Sequence, residues 1–241
     1  MTGAGNGLPV SVIIPARNEA ATITATVRSA RGAGADEIVV VDGGSRDGTA
    51  EEARRVADAV ILSPPGRARQ MNAGAWASKG KILLFLHADT TIPGDAVASI
   101  RKAMERKEIM GGAFSVRLAV SAGAPSFRRA ALRLTARMIN VRARFLRAYT
   151  GDQAIFLRRE VFESLGGYPE IPLMEDVELS RRLTRLGRTV LLPEKITTSA
   201  RRWETRGTVR TILLMWGLRL AYLAGMSPGR CADLYGRNPK G

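Results

Sequence analysis

Three acids stand where carboxylates can do chemistry: Asp42, Asp89 and Asp176. Asp89 closes the triplet His87-Ala88-Asp89, directly after the apolar run Ile82 to Leu86. A carboxylate at the end of a buried strand suits Mg²⁺ or Mn²⁺, hard ions that take one or two protein oxygens and complete their shell with diphosphate and water. The same acid can instead cap the turn or helix that follows, with Pro93 and Asp95 nearby. Asp42 lies in Val-Val-Val-Asp-Gly-Gly-Ser-Arg-Asp-Gly-Thr. There it can accept a hydrogen bond from a base or ribose while the glycines turn the backbone tightly. A plain strand-to-helix turn capped by Asp47 is the competing reading. Asp176 follows Glu175 at the start of a helical pattern. Paired acids in a first turn suit the helix dipole, or one of them takes a proton from an acceptor nucleophile.

The elements that must position these acids alternate. Val10 to Ile14, Ile38 to Val41, Val60 to Leu62 and Ile82 to Leu86 read as strands, the first ending at Pro15. Between them, Ala20 to Ala30, Thr49 to Val56 and Arg67 to Ser78 read as helices, with Asn18 as cap of the first and Asp47 or Thr49 of the second. This alternation predicts an open α/β sheet, doubly wound and mostly parallel, with helices on both faces. Such sheets bind ligands at the carboxyl ends of their strands, where Arg17, Glu19, Asp42, His87 and Asp89 are found. The second half is less regular. Strands are expected over Met110 to Val116, Ala154 to Leu157 and Val190 to Leu192, the last stopped by Pro193. Helices are expected over Pro125 to Ala148, up to Leu165, over Glu175 to Leu186, and in the tail from Thr208.

Composition narrows the chemistry. The chain has 241 residues and a formal net charge of +15, which calls for an anionic partner or a solvated arginine-rich surface. One cysteine, Cys231, excludes an internal disulfide and a Cys-cluster metal site, and favours a reducing compartment. One histidine, His87, excludes a His-rich zinc site. No Gly-Lys-Ser/Thr follows Asp42 and no Gly-x-Gly-x-x-Gly follows the first strand, which argues against a Walker loop and a dinucleotide cofactor.

Five motifs occur in order: Val-Ile-Ile-Pro-Ala-Arg-Asn-Glu, Val-Val-Asp-Gly-Gly-Ser-Arg-Asp-Gly-Thr, Gly-Arg-Ala-Arg-Gln-Met-Asn-Ala-Gly, His-Ala-Asp and Met-Glu-Asp-Val-Glu-Leu. With them the chain resembles family 2 glycosyltransferases of the GT-A fold over roughly residues 9 to 205, and within them small bacterial members tied to radical-SAM, arsenosugar or selenium-related pathways. The resemblance implies an inverting transferase that uses a nucleotide sugar, UDP-linked, with Mg²⁺ or Mn²⁺ and an unidentified acceptor. It implies that Pro15, Arg17 and Glu19 border the nucleoside and that Asp42 binds the base. Arg67, Gln70 and Asn72 would contact diphosphate and ribose, and Asp152 and Gln153 would line the donor-sugar pocket. Asp89 matches the last acid of the metal-binding Asp-x-Asp, and Asp176, with Glu175 before it, matches the general base. The chain departs from that pattern at His87, which replaces the first acid and is left a contact to ribose or diphosphate. Arg202 and Trp203 echo the Gln-x-x-Arg-Trp element of processive members, but Ser199 stands where that element has Gln.

The expected organisation is a disordered terminus over 1–8, a nucleotide-sugar half over 9–116, an acceptor half carrying the base over 117–205, and a helical tail over 206–241. Residues 1 to 8 lack a signal-peptide pattern and no apolar run has transmembrane length, so a cytoplasmic protein is expected. Arg128, Arg129, Arg133, Arg137, Arg142, Arg144 and Arg147 share a helical stretch with apolar residues. That stretch and the tail form either a solvated face or a contact with the anionic inner face of a membrane. A sugar-phosphate nucleotidyltransferase is the rival enzyme, but it needs a Gly-rich basic loop where Ala16-Arg17-Asn18-Glu19 stands. A nucleic-acid-binding protein is disfavoured, since aromatics are only 5% of residues and do not alternate with the arginines.

Overall fold

The computed structural model describes residues 7–120, 123–201 and 208–236. Eight strands form one sheet: β1 (Val10–Ala16), β2 (Glu37–Asp42), β3 (Ala59–Leu62), β4 (Ile82–Phe85), β5 (Thr90–Thr91), β6 (Ile109–Ala119), β7 (Phe156–Arg158) and β8 (Arg188–Ser199). Their spatial order is β3-β2-β1-β4-β7-β6-β8-β5. The helices are α1 (Ala20–Gly32), α2 (Thr49–Arg54), α3 (Arg67–Ala77), α4 (Ala96–Met104), α5 (Ser126–Leu146), α6 (Arg159–Ser164), α7 (Glu175–Leu186), α8 (Thr208–Leu223) and α9 (Pro228–Gly236). The expected α/β architecture and the helical tail are both present. Strands β1 to β4 are parallel to one another, whereas β7 runs antiparallel to both β4 and β6.

Strand alternation divides the core in two. Val12, Ile14, Ile38, Val40, Ile82 and Leu84 face Ile23 and Val27 of α1 and Val97 and Ile100 of α4. Ile13, Val39, Val41, Leu83 and Phe85 face Met71 and Ala75 of α3, Phe162 of α6 and Leu179 and Leu183 of α7. Both faces are covered, as a parallel sheet requires. Gly74 sets how closely α3 approaches: a Cβ there would lie 2.5 Å from the Ile13 side chain and 2.8 Å from that of Val41.

Several local expectations change. Pro15 does not end β1, which continues to Ala16 with Pro15 opposite Val41. Pro193 does not stop β8. The register against β6 slips there, from Phe114↔Leu192 to Ser115↔Lys195, so the proline's missing N–H falls in a bulge. Asn18 does not cap α1; it takes a left-handed turn at φ 55° and its Oδ1 accepts a bond from the Arg46 amide. Helix α4 and the short β5 were not expected. The disordered terminus expected over 1–8 falls largely on residues 1–6, outside the described residues, while Leu8 packs against the core.

Candidate active site

The carboxyl ends of β1, β2 and β4 open on one edge of the sheet, and the loops there are tied to each other. The Asn18 amide donates to Ser45 Oγ at 2.9 Å, Glu19 N to Thr49 Oγ1 at 2.8 Å and Ala20 N to Asp47 Oδ2 at 3.1 Å. Asp42, the last residue of β2, is buried. Its Oδ2 accepts the amides of Gly44 and Ser45 at 3.1 and 3.0 Å. No donor reaches Asp42 Oδ1 among the described residues, although that oxygen is buried too. A buried acceptor without a donor costs about 1–3 kcal/mol, and a donor on a ligand would recover it.

Asp89 lies four residues beyond the end of β4, with its carboxylate partly exposed. Arg201, just past β8, brings Nη2 to 3.5 Å from Asp89 Oδ2 and to 2.6 Å from Glu19 Oε2. A cation therefore already stands beside these two acids. Among the described residues no three His, Cys, Asp or Glu side chains gather into a metal cage. The site fits an ion held by one protein carboxylate and completed by substrate oxygens, which is how Mg²⁺ is commonly held.

The second acid group comes from α7. Met174, in a left-handed conformation at φ 72°, ends the approach loop and lets Glu175 and Asp176 open the helix. Asp176 Oδ2 accepts the Gly151 amide at 2.7 Å, and Oδ1 accepts the Val177 amide at 2.7 Å. Gly151 also touches the other half: a Cβ there would lie 2.6 Å from His87 Nε2 and 3.5 Å from Asp176 Oδ2. A Cβ there would clash with the imidazole, while the carboxylate would stay at ordinary contact distance. Glu175 is buried and pairs with Arg67 at 3.3 Å. Burial and the neighbouring Asp176 charge raise its pKa, with Arg67 opposing. Burial pulls the Arg67 pKa down, but Glu175 and Asp176 outweigh it and the net shift is upward. Burial, then the charges of Asp176 and Glu175, keep the Tyr168 hydroxyl protonated well above its ordinary range.

Of the residues expected to touch donor, Glu19, Asp42, His87 and Asp89 stand at the ends of β1, β2 and β4 or just after them. Arg67 pairs with Glu175 and Asp152 follows Gly151, while Arg17 is exposed and Pro15 is half-buried within β1. Three amides are committed elsewhere. Gln70 Nε2 donates to the carbonyls of Ala16 and Val41, both at 2.8 Å. Asn72 clasps the main chain of Tyr168 through both ends of its amide. Gln153 is fully buried; its Nε2 donates to the Phe114 carbonyl and its Oε1 accepts from Thr150 and Arg142. These three shape the site from behind through main-chain bonds. Arg202 and Trp203 lie outside the described residues.

Arg142 departs from the outward basic face assigned to it. It turns inward, donating to the Ala148 carbonyl, Thr150 Oγ1 and Gln153 Oε1. Its position in the helical period, beside buried Ala143 and Ile139 rather than exposed Val141, was the available signal. Arg219 was likewise missed, though an arginine inside the apolar tail helix was itself a signal.

Residues 11–166, more than half of the chain, match the model of the family described as Glycosyl transferase family 2. The chain belongs to that family. A probable glycosyltransferase, YdaM, of Bacillus subtilis is 27% identical over 205 residues, which cover 74% of this chain and 47% of YdaM. The chain thus spans about half the length of that curated relative. The mannosyltransferase PcManGT of Pyrobaculum calidifontis, solved with GDP-Man and Mn²⁺, superposes with a TM-score of 0.67 at 21% identity over 98% of this chain and 72% of its own. S. aureus TarS 1-349 with UDP gives 0.63 at 18% identity over 80% and 60%. At these identities the structures share the fold.

Helix α7, which carries Asp176, is tied to the tail by Glu178. That nearly buried carboxylate accepts Arg181 at 2.7 and 2.9 Å, Arg182 at 2.9 Å and the Tyr222 hydroxyl at 3.2 Å. The Arg181 bonds outweigh burial and hold its pKa at about 2, below the ordinary 4.5. A depressed carboxylate stabilises the fold fully above its unfolded pKa, and the stabilisation disappears as pH falls through the folded value. Wild type should therefore lose stability progressively between about pH 4.5 and about pH 2 through this group. Glu178→Gln should be less stable near neutrality yet flatter across that window. Urea midpoints measured at several pH values test this, and parallel curves for the two proteins would refute it.

Proposed function

We propose that this family member, an enzyme of the glycosyltransferase type, moves a sugar with inversion from a UDP-linked donor to a hydroxyl-bearing acceptor that Asp176 deprotonates. The observation that carries the reading is the convergence at Gly151. Its amide holds Asp176 at 2.7 Å while His87, two residues before Asp89, packs on its Cα. The loop that carries Asp89 and the first turn of α7, with Asp176, are thereby brought together at one residue through His87.

Asp42 supports the choice of base. With Oδ2 occupied by two amides, Oδ1 remains for one donor. Uracil presents a single imide N–H, whereas guanine presents two adjacent donors that suit a carboxylate with both oxygens open. Related folds were solved with UDP in one case and GDP-Man in another, so the fold alone does not choose the base.

In the reaction, the acceptor hydroxyl gives its proton to Asp176 as its oxygen bonds to the anomeric carbon. The bond from that carbon to the diphosphate breaks on the opposite side, and a nucleoside diphosphate leaves. Asp176 is oriented by the Gly151 and Val177 amides, and each oxygen retains a further lone pair for the proton. Asp89 would hold Mg²⁺ or Mn²⁺, and such an ion, when bound, offsets charge on the leaving diphosphate. Arg201, which stands in for a cation beside Asp89, would have to yield or share that position.

The outward face of α5 supports contact with an anionic membrane surface. Phe127, Phe145 and Leu146 are 70%, 75% and 72% exposed, beside exposed Arg133, Arg137, Arg144 and Arg147. Among the described residues no helix is long and apolar enough to cross a membrane, so the contact would be peripheral.

Asp176→Asn should lower transfer by at least about a hundredfold, the scale of general-base catalysis, with UDP affinity unchanged; an equal loss of UDP affinity would sink the base assignment. Calorimetric titration of UDP and GDP, each with and without Mn²⁺, should show UDP bound more tightly and its Mn²⁺ enhancement abolished by Asp89→Ala. Tighter GDP binding, or an enhancement that survives the substitution, would count against the respective assignment. In flotation, the protein should rise with vesicles containing phosphatidylglycerol and not with pure phosphatidylcholine; equal behaviour with both would refute the membrane contact.

A further inference from the structure

Helix α5 carries six arginines and no acid. Arg129, Arg133, Arg137 and Arg144 are exposed, while Arg142 points in among Thr150, Gln153 and the Ala148 carbonyl. All three of these partners are neutral, so the guanidinium is oriented without being neutralised. Its bonds run through Nε and Nη2, and Nη1 donates to no described residue.

A second arginine reaches the same place from the tail. Helix α8 packs against α5 and, through Leu218, against Met174 and Val177 at the start of α7. Arg219, next to Leu218, is half-buried and forms no hydrogen bond or ion pair with the described residues. It lies within electrostatic reach of Asp176, Asp152 and Arg142. Burial, then the Arg219 charge, pulls Arg142 down to about 10, with Asp152 and Asp176 opposing. Burial lowers Arg219 as well. Asp152 does not neutralise the pair: no ion pair joins it to either arginine, and its buried Oδ1 has no donor among the described residues.

Two half-buried arginines that repel each other, with Asp152 and Asp176 in electrostatic range but in direct ion pair with neither, leave guanidinium donors that an anion can join. A neutral acceptor would need no such pair. An anionic one would be repelled by Glu175, Asp176 and the donor diphosphate unless positive charge stood beside them. We propose that Arg142 and Arg219 bind the anionic group of the acceptor, which therefore carries a phosphate near the hydroxyl presented to Asp176. The proposal rests on Asp176 being the base, and it deepens that reading by naming the acceptor's chemical class. Guanidinium groups match phosphate oxygens in pairs. The phosphate can belong to a soluble phosphomonoester or to a lipid headgroup delivered along the adjoining basic face of α5.

The test is calorimetric binding of inorganic phosphate to the full chain saturated with UDP and Mn²⁺. Wild type should bind phosphate, and Arg219→Gln should weaken that binding by about tenfold or more, the loss expected for a charge-assisted bond. UDP affinity should stay within about twofold, because the proposal assigns the pair to the acceptor and not to the nucleotide. Arg142→Gln should behave alike; because Arg142 also braces Thr150 and Gln153, the Arg219 variant decides if it misfolds. Competition by glycerol 3-phosphate would support a soluble acceptor, and competition only by dihexanoyl phosphatidic acid would support a lipid-borne one. Competition by neither overturns the proposal, as does phosphate binding that survives Arg219→Gln. A matching fall in UDP affinity overturns it too, by placing the guanidinium on the donor diphosphate. Metal-dependent hydrolysis of a nucleotide sugar by wild type, without acceptor, tests the transferase reading separately.

Discussion

The 2.7 Å bond from the Gly151 amide to Asp176 Oδ2 lies where two parts of the chain distant in sequence meet. One is the loop after β4, whose His87 packs on the Gly151 Cα; the other is the start of α7. A side chain at Gly151 would displace the imidazole, since its Cβ would fall 2.6 Å from His87 Nε2. The turn that presents Gly151 is itself braced by a capping box between Thr150 and Gln153. Gln153 then anchors to β6 through the Phe114 carbonyl, and Arg142 ties the same turn to α5. The site thus depends on a short turn whose position is enforced by buried hydrogen bonds, where unmet donors and acceptors are expensive.

Around that turn, charge is arranged in layers. Glu175 is buried against Arg67, Glu19 and Asp89 share Arg201, and Asp152 and Asp176 face Arg142 and Arg219. Each acid near the reacting centre has a guanidinium within reach, supplied by a different element. The net positive charge of the chain is therefore only partly a surface property. Some of it offsets carboxylates that must stay close together, and the rest is spread over exposed arginines and lysines of several elements, α5 among them.

The legible part of this molecule was the part set by local pattern. Strand runs such as Val10 to Ile14 and Ile82 to Leu86 were recognisable, and the acids after them fell where a parallel sheet opens. Boundaries were less legible where proline was taken as a stop. Pro15 lies within β1, and Pro193 fits into β8 because a bulge removes the need for its N–H. Asn18 looked like a cap because its residue type favours one, yet its amide serves a turn that links two loops distant in sequence. Helix α4 was overlooked although Val97, Ile100 and Met104 carry the helical spacing of its buried face.

Sequence alone determined the α/β class, the parallel first half and the strand-end positions of Asp42 and Asp89, because residue period and strand polarity act over a few neighbours. Tertiary structure alone decided which polar groups face the site. Gln70, Asn72 and Gln153 resemble contact residues in sequence, but packing spends their amides on main-chain carbonyls and amides. Arg142 resembles its exposed neighbours on α5, but the helix rotation set by Leu132, Ile139 and Ala143 turns it inward. Arg219 comes within electrostatic range of Asp176 because the tail helix buries Leu218 against α7. Such convergence is a property of packed elements, and no spacing along the chain encodes it locally.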